Sequence, residues 1–313
     1  MGMLGAMSLT GLLKASPELR DLLDAALKPA PALRVPPPQV SRLCSPGRAK
    51  VVGTANDYAL RWRLERYYRN RGVPVVLNPW VAEHGAQLSR MGVVGAQAGP
   101  RVQHLLDQGR QAHGRFVRGD EKHLSAESCR ALLGLAALDF ISRQGDVSAV
   151  FAEVPEEDIQ DLMGLARTRD AALLNATERV VLNPHFGRAS ELVGGADADF
   201  LLDGLLVDLK TVLRPALTAE VRRQLLGYVV CWHLNGERVN EDLPVRLGEV
   251  GVCFGRHGYT VREGLEDLTD VAGLPRLARE FKALVHGLGR ERGGAPTARP
   301  PASPRPGRKT PRC

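Results

Sequence analysis

A chain of 313 residues with 44% hydrophobic content is long enough for two modest domains and a substantial core. Its net charge of +7 sits almost wholly from Arg290 onward, where seven basic residues face one acid, so the rest is near neutrality and bulk charge argues little for nucleic acid. No apolar run approaches a membrane span, and five scattered cysteines without Cys-x-x-Cys spacing argue against zinc and fit a reducing cytoplasm.

Residues 1–45 read as an N-terminal helix followed by a Pro-rich linker from Lys28 to Pro38. Met1 to Leu13 lack a basic run and lead into a capped start at Ser16-Pro17-Glu18-Leu19, so no signal peptide is expected. Residues 46–150 read as a helical region. Thr54 is expected to cap a helix reaching about Asn70, in which Tyr58, Trp62, Leu64 and Tyr67 have core spacing. Arginines interleave with these aromatics, making Arg63 and Arg66 candidates for meeting phosphates; an ordinary amphipathic helix would show the same pattern. Further helices are expected over Val102 to His113 and Ser125 to Ser142.

Residues 151–287 alternate helix and strand signals. Pro155 to Ala166 opens with Pro and acids, as helices do. Thr177 to Leu182 reads as a strand stopped by Asn183-Pro184. Thr218 can cap a helix on which Val221, Leu225, Tyr228, Val229 and Trp232 recur at helical spacing. Glu249 to Phe254 and Tyr259 to Val261 read as strands joined at His257-Gly258. Residues 288–313, rich in Pro, Gly and Arg, are expected to be a disordered basic tail with salt-sensitive affinity for nucleic acid.

The segment from Gly194 to Val212 holds the densest chemistry. Asp203-Gly204 between apolar runs signals a two-residue hairpin, because both central residues of a type I′ turn need positive φ. Such a loop pairs Leu202 with Leu205, Leu201 with Leu206, Asp199 with Asp208 and Asp197 with Lys210. Paired residues share a face, so one face is expected to carry Asp197, Asp199, Asp208 and Lys210. The other is expected to carry only Ala198, Phe200, Leu202, Leu205, Val207 and Leu209. Two opposed carboxylates repel, and Mg²⁺ or Mn²⁺ would offset that while leaving positions for phosphate oxygens. Lys210 would then orient a water or stabilise developing charge. A solvated face on which Lys210 only neutralises the acids is the plainer alternative.

Asp199, the short hairpin and Asp208-x-Lys210 resemble the core of the PD-(D/E)XK nuclease superfamily, and Gln224-Leu225-Leu226-Gly227-Tyr228 is similar to the Gln-x-x-x-Tyr element of its RecB-like branch. The resemblance covers residues 150–262; Ala198 stands in place of the name-giving proline. It implies an α/β fold (an α+β mixed sheet) whose core runs helix, three strands, helix, strand, preceded here by the helical region. It also implies hydrolysis of phosphodiester bonds, with DNA the default substrate and Mg²⁺ or Mn²⁺ the cofactor. Asp199 and Asp208 would hold the metal, joined by Glu191 and the Leu209 carbonyl, while Asp197 competes with Asp199 for the first position. Lys210 would position the attacking water and Gln224 the lysine or substrate. Arg222, Arg223 and Tyr228 are further candidates for nucleic-acid contact, although Tyr228 also fits the apolar stripe. The competing expectation is an inactive nuclease-fold module that binds nucleic acid, or a protein partner through the helical half.

Overall fold

Ser16, Ser125 and Thr218 each accept a backbone N–H from three residues on, so these helices begin where the capping residues stand. The computed structural model describes residues 8–92 and 96–293; the expected tail lies outside the described residues from 294. Helices α1 (Leu9–Ala15), α2 (Pro17–Ala26) and α3 (Ala49–Arg69) lead to strand β1 (Val75–Leu77). Helices α4 (Val81–Arg90), α5 (Gly99–Arg118), α6 (Ala126–Gln144), α7 (Ser148–Phe151) and α8 (Glu156–Leu165) follow. Next come β2 (Val180–Leu182), α9 (Gly187–Leu192), β3 (Phe200–Leu202), β4 (Leu205–Lys210) and α10 (Ala219–Leu234). The short ribbon β5 (Arg238–Val239) and β6 (Leu243–Pro244) precedes β7 (Glu249–Phe254), β8 (Tyr259–Gly264), α11 (Leu265–Leu268) and α12 (Leu274–Gly293).

These elements make a mixed α/β fold around a six-stranded sheet, ordered β1-β2-β3-β4-β7-β8. The strands β2, β3 and β4 are antiparallel neighbours, α10 crosses over, and β7 returns parallel to β4. Strand alternation gives the sheet two apolar faces. Val181, Leu201, Leu206, Val250 and Val252 lie under α10, in one core with α1, α2 and α12. Val180, Leu182, Phe200, Leu202, Leu205 and Val207 lie under Leu64 and Tyr68 of α3. A third cluster joins α3 to α5, α6 and α8 through Trp62, Leu106, Leu132 and Leu162.

The hairpin register is the expected one: Leu202 faces Leu205, Leu201 faces Leu206 and Phe200 faces Val207. Its turn differs from type I′, since only Asp203 of the two central residues has positive φ, at 53°. Asp203 is held there because its carboxylate accepts the N–H groups of Thr177, Glu178 and Arg179. Gly204 is needed for closeness instead, since a Cβ would stand 2.7 Å from the Arg246 carbonyl oxygen.

Several expectations need correction. The region 46–150 is not wholly helical: β1 pairs in parallel with β2 at the sheet edge. Val73-Pro74-Val75-Val76-Leu77, bounded by Gly72 and Asn78-Pro79, carried that signal. Thr54 caps nothing, because α3 already starts at Ala49. The helix expected over 155–166 forms as α8, yet it packs in the helical cluster while α3 covers the sheet. The one helix expected ahead of the Pro-rich linker is two, α1 and α2, whose Leu9, Leu12, Leu19 and Leu23 share a core with Phe281 and Val285. Residues 288–293, expected as tail, continue α12. Arg256, between β7 and β8, clamps the layers with a bidentate bond to Asp161 of α8 at 2.8 Å per arm. No helix among the described residues is long and apolar enough to cross a membrane.

Candidate active site

Alternation along β4 turns Asp208 and Lys210 toward α10 and leaves Leu209 with the α3-side cluster. Lys210 Nζ stands 2.7 Å from Asp208 Oδ2 and donates to Gln224 Oε1 at 2.9 Å. Gln224 Nε2 donates to Asp208 Oδ1 at 2.9 Å and to the Tyr228 hydroxyl at 2.7 Å. That hydroxyl donates to the Asp197 carbonyl at 3.0 Å. Gln224 and Tyr228 meet because they lie one helical turn apart on α10. Four residues that the sequence singles out thus form one hydrogen-bonded chain.

Asp199 arrives differently from the expectation. Its N–H donates to the Val207 carbonyl at 3.2 Å, although Phe200 is the register partner of Val207. Two residues therefore oppose one, a β-bulge, and the alternation inverts beyond it. Ala198 accordingly joins Leu201 and Leu206 in the α10-side core instead of Phe200 on the other face. Asp199 reaches toward α3, where Oδ1 lies 3.7 Å from Arg61 Nη2, while Oδ2 accepts the Leu209 N–H at 2.5 Å. Asp197 does not oppose Lys210; it bridges His185. Of the four charged groups expected on one face, Asp208 and Lys210 thus face α10, Asp199 reaches toward α3, and Asp197 meets the site through its backbone carbonyl.

The α3 side contributes residues that sequence reading missed. Asp57 pairs with the buried Arg61 through two contacts, one of 2.9 Å, and Arg143 of α6 pairs with Asp139 at 3.0 Å behind them. Asp57 and Arg61 stand four apart in a helix the sequence did reveal, so their shared face was the available signal.

Burial raises the Asp208 carboxyl to about 6; Lys210 opposes the shift and Asp199 adds to it. Burial pulls the Lys210 ammonium down, but Asp208 and Asp199 outweigh it and leave the group above its ordinary value. Burial also raises Asp57, with Arg61 opposing and Asp199 adding, and it raises Asp197 against Arg143. The charge on Asp199 is therefore felt by Asp208 and Lys210 on one side and by Asp57 on the other.

A hard divalent cation at the end of β4 would have two carboxylates to draw on, Asp208 and Asp199. Asp208 Oδ2 is buried with the Lys210 ammonium 2.7 Å away as its partner. No group of three or more His, Cys, Asp or Glu gathers as metal ligands among the described residues. Mg²⁺ commonly takes only one or two carboxylates.

A carboxyl with a raised native pKa contributes stability that is fully present below its unfolded value of 3.8 and is lost as pH rises through about 6. Asp208→Asn in metal-free protein is therefore expected to be more stable than the wild type at pH 8, by about 1–3 kcal/mol. The gain should vanish near pH 3.5. Urea unfolding at both pH values measures it, and an equal loss at each would assign Asp208 a hydrogen-bonding role alone.

The remaining candidates separate cleanly. Glu191 is exposed on α9, with no hydrogen bond or ion pair to the site among the described residues. Arg222 is buried in an ion pair with Glu263 and donates to the Lys28 carbonyl. Arg223 makes two bonds, of 2.6 and 2.7 Å, to Asp24 of α2. Both arginines thus hold other elements against α10, and a phosphate-facing role is corrected for each. Tyr228 is buried against Phe186 and orients Gln224, so it presents no surface to nucleic acid. Arg63 and Arg66 line a cavity on another side of α3. In comparisons with known proteins, no family model, no curated protein and no solved structure matches the chain.

Proposed function

We propose that this chain is a metal-dependent nuclease that hydrolyses phosphodiester bonds of DNA. The observation carrying the reading is the Asp208–Lys210–Gln224 chain at the end of β4, with the Asp199 carboxylate close enough to perturb it. Asp199, Asp208 and the Leu209 carbonyl would hold Mg²⁺ or Mn²⁺. When bound, such an ion polarises a phosphate oxygen and lowers the pKa of a coordinated water. Lys210 keeps its proton at neutral pH, and its ammonium neutralises charge that builds as a water oxygen bonds to phosphorus and the bond to the leaving oxygen breaks. Gln224 fixes the ammonium, and Tyr228 fixes Gln224. The buried free thiols Cys44, Cys129, Cys231 and Cys253 suit work in the cytoplasm.

Purified protein is expected to degrade plasmid DNA in millimolar Mg²⁺ and to stop when EDTA is added, followed on agarose gels. Cleavage that persists in EDTA would sink the reading.

A second reading, an inactive module that grips nucleic acid or a protein partner, draws on one observation. Each carboxylate already has a resident cation, Lys210 beside Asp208 and Arg61 near Asp199. Calorimetric titration with Mn²⁺ separates the two. Absence of binding, or binding unchanged in Asp208→Asn, favours the inactive module.

A further inference from the structure

On the side of α3 away from Asp199 lies a cavity of ≈ 410 Å³ whose lining includes Arg63, Arg66, Arg71, Lys122 and Arg169 against a single acid, Asp170. None of these five cations makes an ion pair with a carboxylate among the described residues, whereas Arg48, Arg61, Arg143, Arg222 and Arg256 are all paired. Asp170 is already committed, accepting from Ala172 N–H at 2.9 Å and Thr260 Oγ1 at 2.6 Å. Arg63 and Arg66 donate to the carbonyls of Thr168 (2.6 Å) and Glu121 (2.5 Å), which fix their guanidinium groups without neutralising them. Burial holds Arg63 below its ordinary pKa, and neighbouring Arg169 adds to the shift.

Concentrating five like charges in one concavity is unfavourable unless something anionic enters it. The walls say more about what enters. Arg66 lies over the Phe116 ring at 4.9 Å and Arg71 over Tyr67 at 3.6 Å, which leaves planar guanidinium edges for phosphate oxygens. Leu60 and Leu173 supply an apolar wall against which a base can lie. At one end Asn56 lines the cavity and donates to Thr211 Oγ1 at 3.1 Å, the residue following Lys210. One wall residue of the cavity therefore touches the residue that follows β4, the strand carrying Asp208.

We propose that this cavity binds a phosphate-bearing nucleotide, either free or as the terminal nucleotide of a single strand. It deepens the nuclease reading by seating a strand end near the candidate site, but its own support is the unneutralised cavity. Binding is measured by calorimetry in EDTA, where no cleavage is proposed, so its failure and that of the nuclease reading are distinguishable. The probes are adenosine monophosphate, a short deoxyoligonucleotide with a terminal phosphate, the same oligonucleotide without it, and adenosine. The variants are Lys122→Glu and Arg169→Glu; both residues are exposed, so the fold should tolerate the change.

Each variant is expected to weaken the phosphorylated probes by about tenfold or more, as loss of a charge-assisted hydrogen bond does. Equal affinity for mononucleotide and phosphorylated oligonucleotide would mark a free-nucleotide site, and preference for the oligonucleotide would mark a strand-end site. The proposal is overturned if the wild type binds neither phosphorylated probe, or if the terminal phosphate makes no difference. Charge reversal that leaves affinity unchanged, or tighter binding of an acidic peptide, would overturn it equally.

Discussion

Lys210→Ala is expected to lower Mg²⁺-dependent cleavage of DNA by about 10²–10³-fold, the usual cost of removing one preorganised donor to transition-state charge. Lys210 is suited to that role because it is fixed yet accessible. Its side chain retains 28% of its exposure, while Asp208 and Gln224 both hold Nζ. The fold should survive the loss. Asp208 keeps its bond from Gln224 and, with a carboxyl already raised to about 6, can take up a proton instead of remaining an unpaired buried charge. Initial cleavage rates, with circular dichroism as a check on folding, measure both halves of this expectation. Undiminished metal-dependent cleavage would mean that the wrong lysine has been named.

The largest expected loss of stability lies elsewhere. Arg256→Ala should cost about 3–5 kcal/mol, because it strands a buried carboxylate. The side chains of Arg256 and Asp161 are 1% and 0% exposed, and Asp161 also accepts the Cys44 N–H at 3.3 Å. Burial alone would raise the Asp161 carboxyl, yet the bonds from Arg256 and Cys44 outweigh it and hold the group below its ordinary value. A depressed carboxyl contributes stability that is present above its unfolded pKa of 3.8 and is lost as pH falls through its native value. The gap between wild type and variant should therefore narrow in acid. Replacing both partners, Arg256→Met with Asp161→Leu, should recover much of the loss. Urea unfolding of the three proteins at neutral and acid pH tests the whole set, and a double variant as weak as the single one would count against a charge-based cause.

What sequence revealed about the candidate site followed the range of each interaction. The Asp203-Gly204 corner and the register it sets are local, so they could be counted off directly. Gln224 and Tyr228 were legible for the same reason, being one helical turn apart. The bulge at Asp199 was not, because it arises where that strand's start must meet both Val207 and Asn183. Which helix covers the second sheet face was hidden too, since α3 and α8 both carry an apolar stripe and only packing distinguishes them. The arginines of α10 misled for want of their partners: Glu263 lies 41 residues away and Asp24 lies 199 away. Whether a guanidinium faces solvent or a distant carboxylate is not written in its own helix.

The two large cores make different demands on synthesis. The helical one, from Cys44 to Leu165, has every contributor in place once α8 has been made. The α10-side core draws on Leu9 at one extreme and Val285 at the other; α1 and α2 first meet α10, and α2 gains its remaining cover only when α12, nearly the last described segment, leaves the ribosome. Nascent chains halted after Gly264 should thus be cut more readily within α2 than within α6. Equal resistance in both would show that α2 finds cover without α12.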